Sequence, residues 1–273
     1  MTSPDPRLTL AKPDLAAAHL EGVVRAARYA PTETLQVVRP VVALRRAADL
    51  ASEQMDQLLF GERFEALERT GDFLWGQAQR DGYVGYIEAA ASVPAAAPPT
   101  HWVKALRTFA FAGSSIKARA EGPFSRNCLF AIVAEDGDFL RDDGGRFLWR
   151  DHLAPLGSFA ADPVCVAMDY IGAPYLWGGR DSLGLDCSGL VQQALYACGL
   201  ACPRDTDLQM RLGGDVAQAD LARGDLVFWP GHIAMMVDAD RIIHANAHHM
   251  AVAVENLATA ITRIGPPTAL RRL

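Results

Sequence analysis

Short apolar segments separated by glycine-containing turns dominate the chain from about residue 36 to 158, and this pattern restricts the fold more than any other feature. Apolar and polar residues alternate with a period of two in FLWGQAQ, residues 73–79, and turns are predicted at Gly71, Gly82 and Gly144. Short strands joined by such turns indicate small antiparallel barrels. Residues 91–100, ASVPAAAPPT, predict a linker between two barrels, over residues 36–92 and 100–158.

Two stretches lack this strand character. Leu15 to Tyr29 interleaves apolar and alanine positions with arginines, which predicts a short helix in an N-terminal segment of residues 1–35, with a boundary at Pro31. SEQMDQLLFGE, residues 52–62, predicts a helical turn or a loop excursion inside the first barrel. We therefore expect a helical segment ahead of the barrels and one irregular segment within the first.

After about residue 160 the pattern changes to helices followed by strands. DPVCVAMDYIG, residues 162–172, predicts a helix, and SGLVQQALYACGL, residues 188–200, has apolar residues at helical spacing with Gly199 as a C-cap. Three strand candidates follow: Asp225 to Trp229, His232 to Val237 and Arg241 to Ala245. This order predicts an α+β domain over residues 160–273.

Charge and cysteine content limit the partners of the chain. A formal net charge of −6 and a pI near 5.6 argue against nucleic acid as a partner, because nucleic-acid sites need a basic excess. No apolar stretch approaches the length of a membrane span, and no secretory leader is evident. Five irregularly spaced cysteines are typical of free thiols in a reducing compartment. We expect a cytoplasmic protein with no membrane partner.

Cys187 is the residue whose surroundings most favour chemistry. It lies at a predicted helix start, where the positive helix end favours thiolate, although Asp186 opposes this effect. His232 opens one strand candidate and His244 lies near the end of the next, so a turn between these strands would bring both rings together. Nucleophilic catalysis needs a thiol, a base and a group that orients the base. We predict Cys187 as nucleophile, His232 as base and His244 as orienting group.

Each of these residues also has a structural interpretation when it is taken alone. An isolated cysteine is more often a small buried apolar residue than a nucleophile, and isolated histidines are usually structural or exposed. Zinc is a further competitor, but no C-x-x-C pair anchors such a site, so we predict no metal ligands and no cofactor. The remaining cysteines are predicted to be core or incidental thiols: Cys128, Cys165, Cys198 and Cys202.

Six short motifs follow one another between about residues 163 and 265: Pro174–Gly179 (PYLWGG), Asp186–Leu190 (DCSGL), Pro203–Thr206 (PRDT), Gly224–Phe228 (GDLVF), Gly231–Ile233 (GHI) and His244–Ala245. Together they resemble the NlpC-type family of cell-wall cysteine peptidases. The resemblance implies an α+β fold, with a papain-like cysteine peptidase domain preceded by two small SH3-like β-barrels. That combination is similar to the γ-D-glutamyl-L-diamino acid endopeptidases, the dipeptidyl-peptidase VI-like subgroup.

The resemblance implies roles for further residues. Tyr175 would help to hold the oxyanion, together with the backbone N–H of Cys187. The peptide's N-terminal ammonium would lie in a pocket lined by polar and acidic side chains: Asp205, Asp186 and Ser188. Trp177 would form an apolar wall. The family's usual serine after the pocket aspartate is Thr206 here, which keeps the hydroxyl and adds a methyl group.

Two residues of the first barrel stand where members of the subgroup carry residues that close the site. Glu53 and Tyr83 would on this basis contact the substrate amine, and exposed residues on a rigid scaffold often serve such sites. The alternatives are a solvated loop glutamate and a tyrosine that packs inside the barrel. If the functional interpretation holds, the barrels restrict access to the site and do not bind wall polymer.

The resemblance as a whole implies hydrolysis of the γ-D-Glu–diamino acid bond in small murein peptides with a free N-terminal L-Ala. The reaction would pass through an acyl-enzyme on Cys187 and would serve the recycling of cell-wall peptides. One alternative is an amidase or transpeptidase that acts on another amide with the same Cys–His site. A second is a non-catalytic wall-binding module in which the barrels carry the function.

Overall fold

Strands dominate the first 156 residues, whereas every α-helix of the described chain lies after them. The computed structural model describes residues 4–273, and contacts divide it into two compact units between Leu156 and Gly157. Within this described part, none of the helices combines the length and the apolar character that a membrane span requires.

The N-terminal segment does not form the helix that was predicted over Leu15 to Tyr29. Its strand β1 (Ala16–Ala17) pairs in parallel with β2 (Tyr29–Ala30), and only a single 3₁₀ turn, Ala18–Leu20, separates β1 from the following loop. The apolar residues of the segment pack against side chains from the neighbouring sheet in one cluster: Leu10, Leu15, Ala17, Trp75 and Val84. The alternation of alanine and apolar residues therefore serves this long-range packing, which overrides local helix propensity.

The next seven strands form one antiparallel sheet: β3 (Glu33–Val37), β4 (Val41–Arg45), β5 (Gln54–Leu59), β6 (Arg63–Thr70), β7 (Phe73–Ala78), β8 (Val84–Glu88) and β9 (Ser92–Pro94). Their order across the sheet is β5-β4-β8-β7-β6-β3-β9. The turn predicted at Gly71 joins β6 to β7, with Thr70 paired to Phe73 and a φ of 59° at the glycine. Such a positive φ carries little steric cost only for glycine.

Two details of this region differ from prediction. The segment expected to be a helical turn or loop contains β5, which pairs with β4 and ends in the fully buried Leu58 and Leu59. The apolar residues of this strand are covered on both faces of the sheet, because Leu58 and Leu59 belong to different apolar clusters. A strand that is buried on both faces has a continuous apolar run, and hydrophobic periodicity does not distinguish such a run from a short buried helix. The expected linker is also shorter than predicted, because β9 pairs with β3 and occupies residues 92–94.

Residues 101–155 form two further sheets from eight short strands: β10 (His101–Val103), β11 (Arg107–Phe111), β12 (Ala120–Ser125), β13 (Leu129–Phe130), β14 (Ile132–Asp136), β15 (Phe139–Asp142), β16 (Phe147–Trp149) and β17 (Leu153–Pro155). Their orders are β12-β11-β16-β15-β14 and β13-β10-β17. Phe60, which follows β5, packs its ring against Phe124 and Phe130 in their core. The two sets of strands therefore share apolar packing within one unit.

The second unit joins helices to a six-stranded antiparallel sheet. Its elements are α1 (Pro163–Met168), β18 (Arg180–Asp181), β19 (Gly184–Leu185), α2 (Cys187–Ala197), α3 (Thr206–Gln209), β20 (Gly214–Asp215), β21 (Leu226–Trp229), β22 (His232–Met236), β23 (Arg241–Asn246), β24 (Ala251–Asn256), α4 (Leu257–Ile264) and β25 (Ala269–Arg272). The sheet order is β20-β25-β21-β22-β23-β24. The predicted helices followed by antiparallel strands are thus present.

Helix α2 lies against this sheet and is buried along its whole length. The predicted glycine stop lies one residue beyond the C-cap position expected for it, because Cys198 is the C-cap and Gly199, with a φ of 76°, follows it. Strands β21, β22 and β23 agree with their predicted positions within a residue at each end. Helix α1 is shorter than predicted and ends at Met168, and three C-terminal elements, β24, α4 and β25, had no counterpart in the predictions.

Candidate active site

Cys187 is the first residue of α2, and the loop before it sets its position. Asp186 is the N-cap and accepts a hydrogen bond from the Gly189 N–H at 2.8 Å, while its other oxygen accepts from the Gly178 N–H at 2.9 Å. A Cβ atom on Gly189 would overlap the carbonyl oxygen of Gly179. Gly189 of DCSGL is therefore required, because the helix start and the preceding loop approach each other closely.

The carboxylate of Asp186 also forms a buried ion pair with Arg204. The guanidinium reaches both oxygens, with Nη2–Oδ2 at 2.6 Å and Nη1–Oδ1 at 3.0 Å, and Nη1 also donates to Ser188 Oγ at 2.7 Å. All three side chains are buried. Both oxygens of Asp186 and the hydroxyl of Ser188 thus form bonds within the protein, and their contact with a substrate ammonium stays a prediction.

The two predicted histidines meet on adjacent strands. Nε2 of His232, the first residue of β22, is 2.8 Å from Nδ1 of His244 in β23. Met235 pairs with Ile243, so His232 and His244 lie on the same face, two residues out of step. His244 is fully buried. The structure therefore brings together the two rings that the sequence placed twelve residues apart.

Cys187 lies next to this pair. Its sulfur accepts hydrogen bonds from the backbone N–H of Ile233, the residue after His232, and from the side chain of Thr206. Burial and the charge of Asp186 raise the pKa of the thiol to about 11, although these hydrogen bonds and Arg204 oppose the rise. Burial and His244 lower the pKa of His232 to about 4. Both shifts favour a thiol and an uncharged imidazole at neutral pH and oppose the thiolate that the helix end was expected to favour.

A fourth group, which sequence reasoning missed, extends the chain of hydrogen bonds. Nε2 of His244 is 2.7 Å from Oε1 of Glu255 in β24, and Arg263 of α4 donates to the same oxygen. Burial alone would raise the pKa of Glu255, but the bonds from Arg263 and His244 lower it. The alternating AVAVEN of β24 is a strand signal that would have placed Glu255 beside His244 if the pairing of β23 with β24 had been known.

Tyr175 borders the nucleophile from the loop before α2. Its ring is half-buried, and burial together with the charges of Cys187 and Asp186 raises the pKa of its hydroxyl to about 12. The hydroxyl therefore keeps its proton and can donate a hydrogen bond. Trp177, two residues on, is 59% exposed, as a wall for a bound molecule would be before binding.

Asp205 and Thr206 lie at the start of α3. Asp205 is the N-cap of this short helix, yet its side chain makes no capping hydrogen bond and is partly exposed. Thr206 is buried and bonds to the sulfur of Cys187. Asp205 is thus one residue away from a direct partner of the nucleophile.

Glu53 and Tyr83 belong to the N-terminal unit. Glu53 directly precedes β5 and pairs with Arg46 at 2.8 Å on the surface. Tyr83 is buried in the hydrophobic cluster of its sheet with residues such as Leu44 and Ile87. This is the packing role that the sequence left open for Tyr83, and contact of either residue with a substrate stays a prediction.

One group of side chains has donor atoms close enough to hold a metal ion. His244, His249 and Glu255 each offer one ligand atom within 4.8 Å of the others. However, Nδ1 of His244 is engaged by His232, Nε2 of His244 by Glu255, and Nδ1 of His249 lies 2.9 Å from Asn246 Oδ1. Arg263 already supplies a positive charge at Glu255. The group therefore forms a hydrogen-bonded ion pair that disfavours a metal ion.

Comparison with known proteins finds curated relatives that match part of the chain. Relatives include "Dipeptidyl-peptidase 6" of Lysinibacillus sphaericus, 33% identical over 127 residues, covering 42% of this chain and 47% of the relative. "Gamma-D-glutamyl-L-lysine dipeptidyl-peptidase" of Bacillus subtilis (strain 168) is 27% identical over 131 residues, covering 43% and 44%. The matches thus span less than half the length of these curated relatives.

A solved structure shows the same fold. An NlpC/P60 family protein from Bacillus cereus ATCC 10987 superimposes with a TM-score of 0.77 at 19% identity, covering 88% of this chain and 99% of that one. The family model described as "Bacterial dipeptidyl-peptidase Sh3 domain" matches residues 44–91, and the NlpC/P60 family model matches residues 172–263. The chain therefore contains an SH3-like domain of the bacterial dipeptidyl-peptidase type followed by a papain-like domain of the NlpC/P60 family.

Proposed function

We propose that this protein is a cysteine endopeptidase that hydrolyses the γ-D-Glu–diamino acid bond of murein peptides with a free N-terminal L-Ala. The observation that carries the proposal is the linked position of three groups: the sulfur of Cys187 bonds to the residue after His232, and His232 bonds to His244. The names of the dipeptidyl-peptidase relatives support the substrate class. A role in recycling such peptides in the cytoplasm is part of the same proposal.

The proposed reaction uses the nitrogen of His232 that His244 leaves available. Nδ1 takes the thiol proton as the sulfur attacks the carbonyl carbon of the γ-glutamyl amide. The resulting oxyanion accepts hydrogen bonds from the Tyr175 hydroxyl and the Cys187 backbone N–H. When the C–N bond breaks, the imidazolium returns its proton to the leaving amine, and a thioester remains on Cys187.

A water molecule completes the proposed cycle. His232 removes a proton from water as its oxygen attacks the thioester carbon, and the C–S bond then breaks. The proton returns to the sulfur, which restores the neutral thiol that burial favours in the resting site. No step requires a metal ion or an organic cofactor.

Asp205 is the proposed partner of the substrate ammonium. It lies partly exposed at the start of α3, and its neighbour Thr206 bonds to the nucleophile. A buried ammonium needs an anionic partner, because an unpaired charge is costly away from water. In the proposed pocket Asp205 supplies this charge, and Trp177 forms an apolar wall. Closure of this pocket by Glu53 and Tyr83 stays a prediction.

The test compares two peptides, L-Ala-γ-D-Glu-diaminopimelate and the same peptide acetylated at its N-terminus. We expect release of L-Ala-D-Glu from the free peptide only. The Cys187→Ala variant should lose turnover, whereas Cys165→Ala, which removes an exposed thiol of the same domain, should retain it. Turnover by Cys187→Ala would refute the mechanism, and cleavage of neither peptide by the unmodified protein would refute the substrate.

A pair of aspartate variants tests the ammonium pocket. Asp205→Asn should raise KM for the free peptide, because the charge partner of the ammonium is lost. Asp207→Asn, two residues further along the same helix and exposed, is the matched control and should leave KM unchanged. Equal KM values for both variants and the unmodified protein would remove Asp205 from the pocket.

A further inference from the structure

Glu255 ends a chain of hydrogen bonds that begins at His232, the proposed base. His232 contacts His244 through Nε2 and Nδ1, and His244 contacts Glu255 through its other nitrogen. Both nitrogens of the fully buried His244 are therefore engaged by groups of the same domain. Which nitrogen of each ring carries hydrogen then depends on whether Glu255, the last group in the chain, accepts or donates a hydrogen bond.

We infer that Glu255 is a positioning residue that fixes the tautomers of both histidines and so leaves a lone pair on Nδ1 of His232 for the thiol proton. The inference rests on the proposed function of His232 as base. An ionised carboxylate only accepts hydrogen bonds, so Nε2 of His244 must carry hydrogen. Nδ1 of the neutral ring is then an acceptor, which requires hydrogen on Nε2 of His232.

Strand register explains why Glu255 can reach His244. Strand β24 pairs with β23 so that Ala253 lies opposite His244, and Glu255 opposite Ile242. Residues two apart on a strand share a face, so Glu255 is the diagonal neighbour of His244. This is also the relation of His232 to His244 on the other side. His244 thus receives one partner from each adjacent strand.

Arg263 keeps Glu255 in the state that this role needs. The guanidinium, from α4, donates to the oxygen that also faces His244, and the pKa of Glu255 is lowered by these bonds despite burial. The same arginine would favour the wrong tautomers of both histidines if Glu255 were removed. Without Glu255, the guanidinium would donate to Nε2 of His244, so that this nitrogen would keep a lone pair and hydrogen would move to Nδ1 of the same ring. Nδ1 of His244 would then donate to Nε2 of His232, which places hydrogen on Nδ1 of His232. That nitrogen could no longer accept the thiol proton.

The direct test is nitrogen NMR of the full chain labelled with ¹⁵N-histidine, assigned with the single variants His232→Gln and His244→Gln. At pH 7 we expect both rings to carry hydrogen on Nε2 in the unmodified protein. Glu255→Leu should move hydrogen to Nδ1 in one or both rings, whereas Glu255→Gln should not, because its amide oxygen still accepts. Unchanged ring nitrogens in Glu255→Leu would overturn the inference.

Kinetics supply a second readout in the same variants. Glu255→Leu should lower kcat by about 10- to 100-fold, the range found when the hydrogen-bond partner of a metal-bound histidine is removed, with KM little changed. Glu255→Gln should recover most of this loss. Asp238→Leu is the matched control, since it removes a carboxylate from an arginine partner at the exposed end of the β22–β23 hairpin. A Gln variant as slow as the Leu variant, with Nε2 still protonated, would contradict the tautomer role.

The two arms separate failure of the inference from failure of the proposed function. The NMR arm needs no substrate and reports the tautomers in any folded variant, and thermal melting of each variant establishes that it is folded. Hydrogen on Nε2 of both rings in a protein that cleaves no murein peptide would support the inference and reject the substrate. Hydrogen on Nδ1 of His232 in an active protein would reject the inference alone.

Discussion

Two carboxylate–arginine pairs belong to the candidate active site, and they differ in the groups that they bind. Asp186 and Arg204 are nearly inaccessible, with side chains 8% and 1% exposed, and they bind backbone N–H groups and Ser188. Glu255 and Arg263 are 11% and 28% exposed and bind an imidazole. The first pair fixes the backbone that carries the sulfur, and the second fixes a ring that titrates.

This difference shows that the effect of losing a buried ion pair depends on the third group that the pair binds. Charges removed from water cost several kcal/mol each unless hydrogen bonds and an opposite charge compensate them. At Asp186 the compensation comes from a loop and a helix start, so the expected result of damage is loss of structure. At Glu255 it comes partly from His244, so the expected result is misplaced protons in a folded domain.

The largest expected effect is at the first pair. Arg204→Met leaves the Asp186 carboxylate buried without its cation, and the free energy of unfolding should fall by about 3–5 kcal/mol. Urea denaturation followed by circular dichroism measures this loss. Arg241→Met, which breaks an exposed pair with Asp238, is the control and should leave the midpoint unchanged. A midpoint for Arg204→Met equal to that of the unmodified protein would remove the structural distinction between the pairs.

Acid should act next, mainly through the second network. The pKa values of His232 and His244 are lowered to about 4 in the fold, by burial and by their neighbours, against 6.5 ordinarily. Between these values the unfolded chain binds more protons, so stability decreases as pH falls from 6.5 towards 4. For one histidine the loss is about 2 kcal/mol by pH 5.

Urea unfolding at pH 7, 6 and 5 measures this dependence. His244→Gln removes one titrating ring and should make the dependence on pH shallower, because one fewer proton is taken up on unfolding. Asp238→Asn lies outside the network and should follow the unmodified protein. A stability that stays constant from pH 7 to pH 5 would mean that the two rings are not held uncharged in the fold.

The smallest stability effect is expected at the second pair. Arg263→Met should lower the free energy of unfolding by about 1 kcal/mol, because the guanidinium is partly exposed and Glu255 keeps its bond to His244. Urea denaturation beside Arg204→Met gives the direct comparison. A loss as large as that of Arg204→Met would mean that both pairs hold structure, which would weaken the contrast drawn between them.

Local sequence signals were sufficient for helix α2 and three strands of the C-terminal domain. Gly199 follows the C-cap of α2, and β21 to β23 appear within a residue of their expected bounds, because apolar spacing and turn residues act over a few positions. The same signals failed where packing partners are distant. Leu15 to Tyr29 and residues 52–62 took strand or loop structure because neighbouring sheets cover their apolar residues.

The sequence by itself determined that a cysteine opens a buried helix and that two histidines lie on neighbouring strands of one hairpin. It could do so because each of these positions is set by its own short stretch of chain. Only the tertiary structure decided that Asp186 is paired with Arg204, and that Glu255 and Arg263 complete the chain behind His244. These partners come from elements that have no fixed spacing along the chain, and their meeting depends on strand register and helix packing.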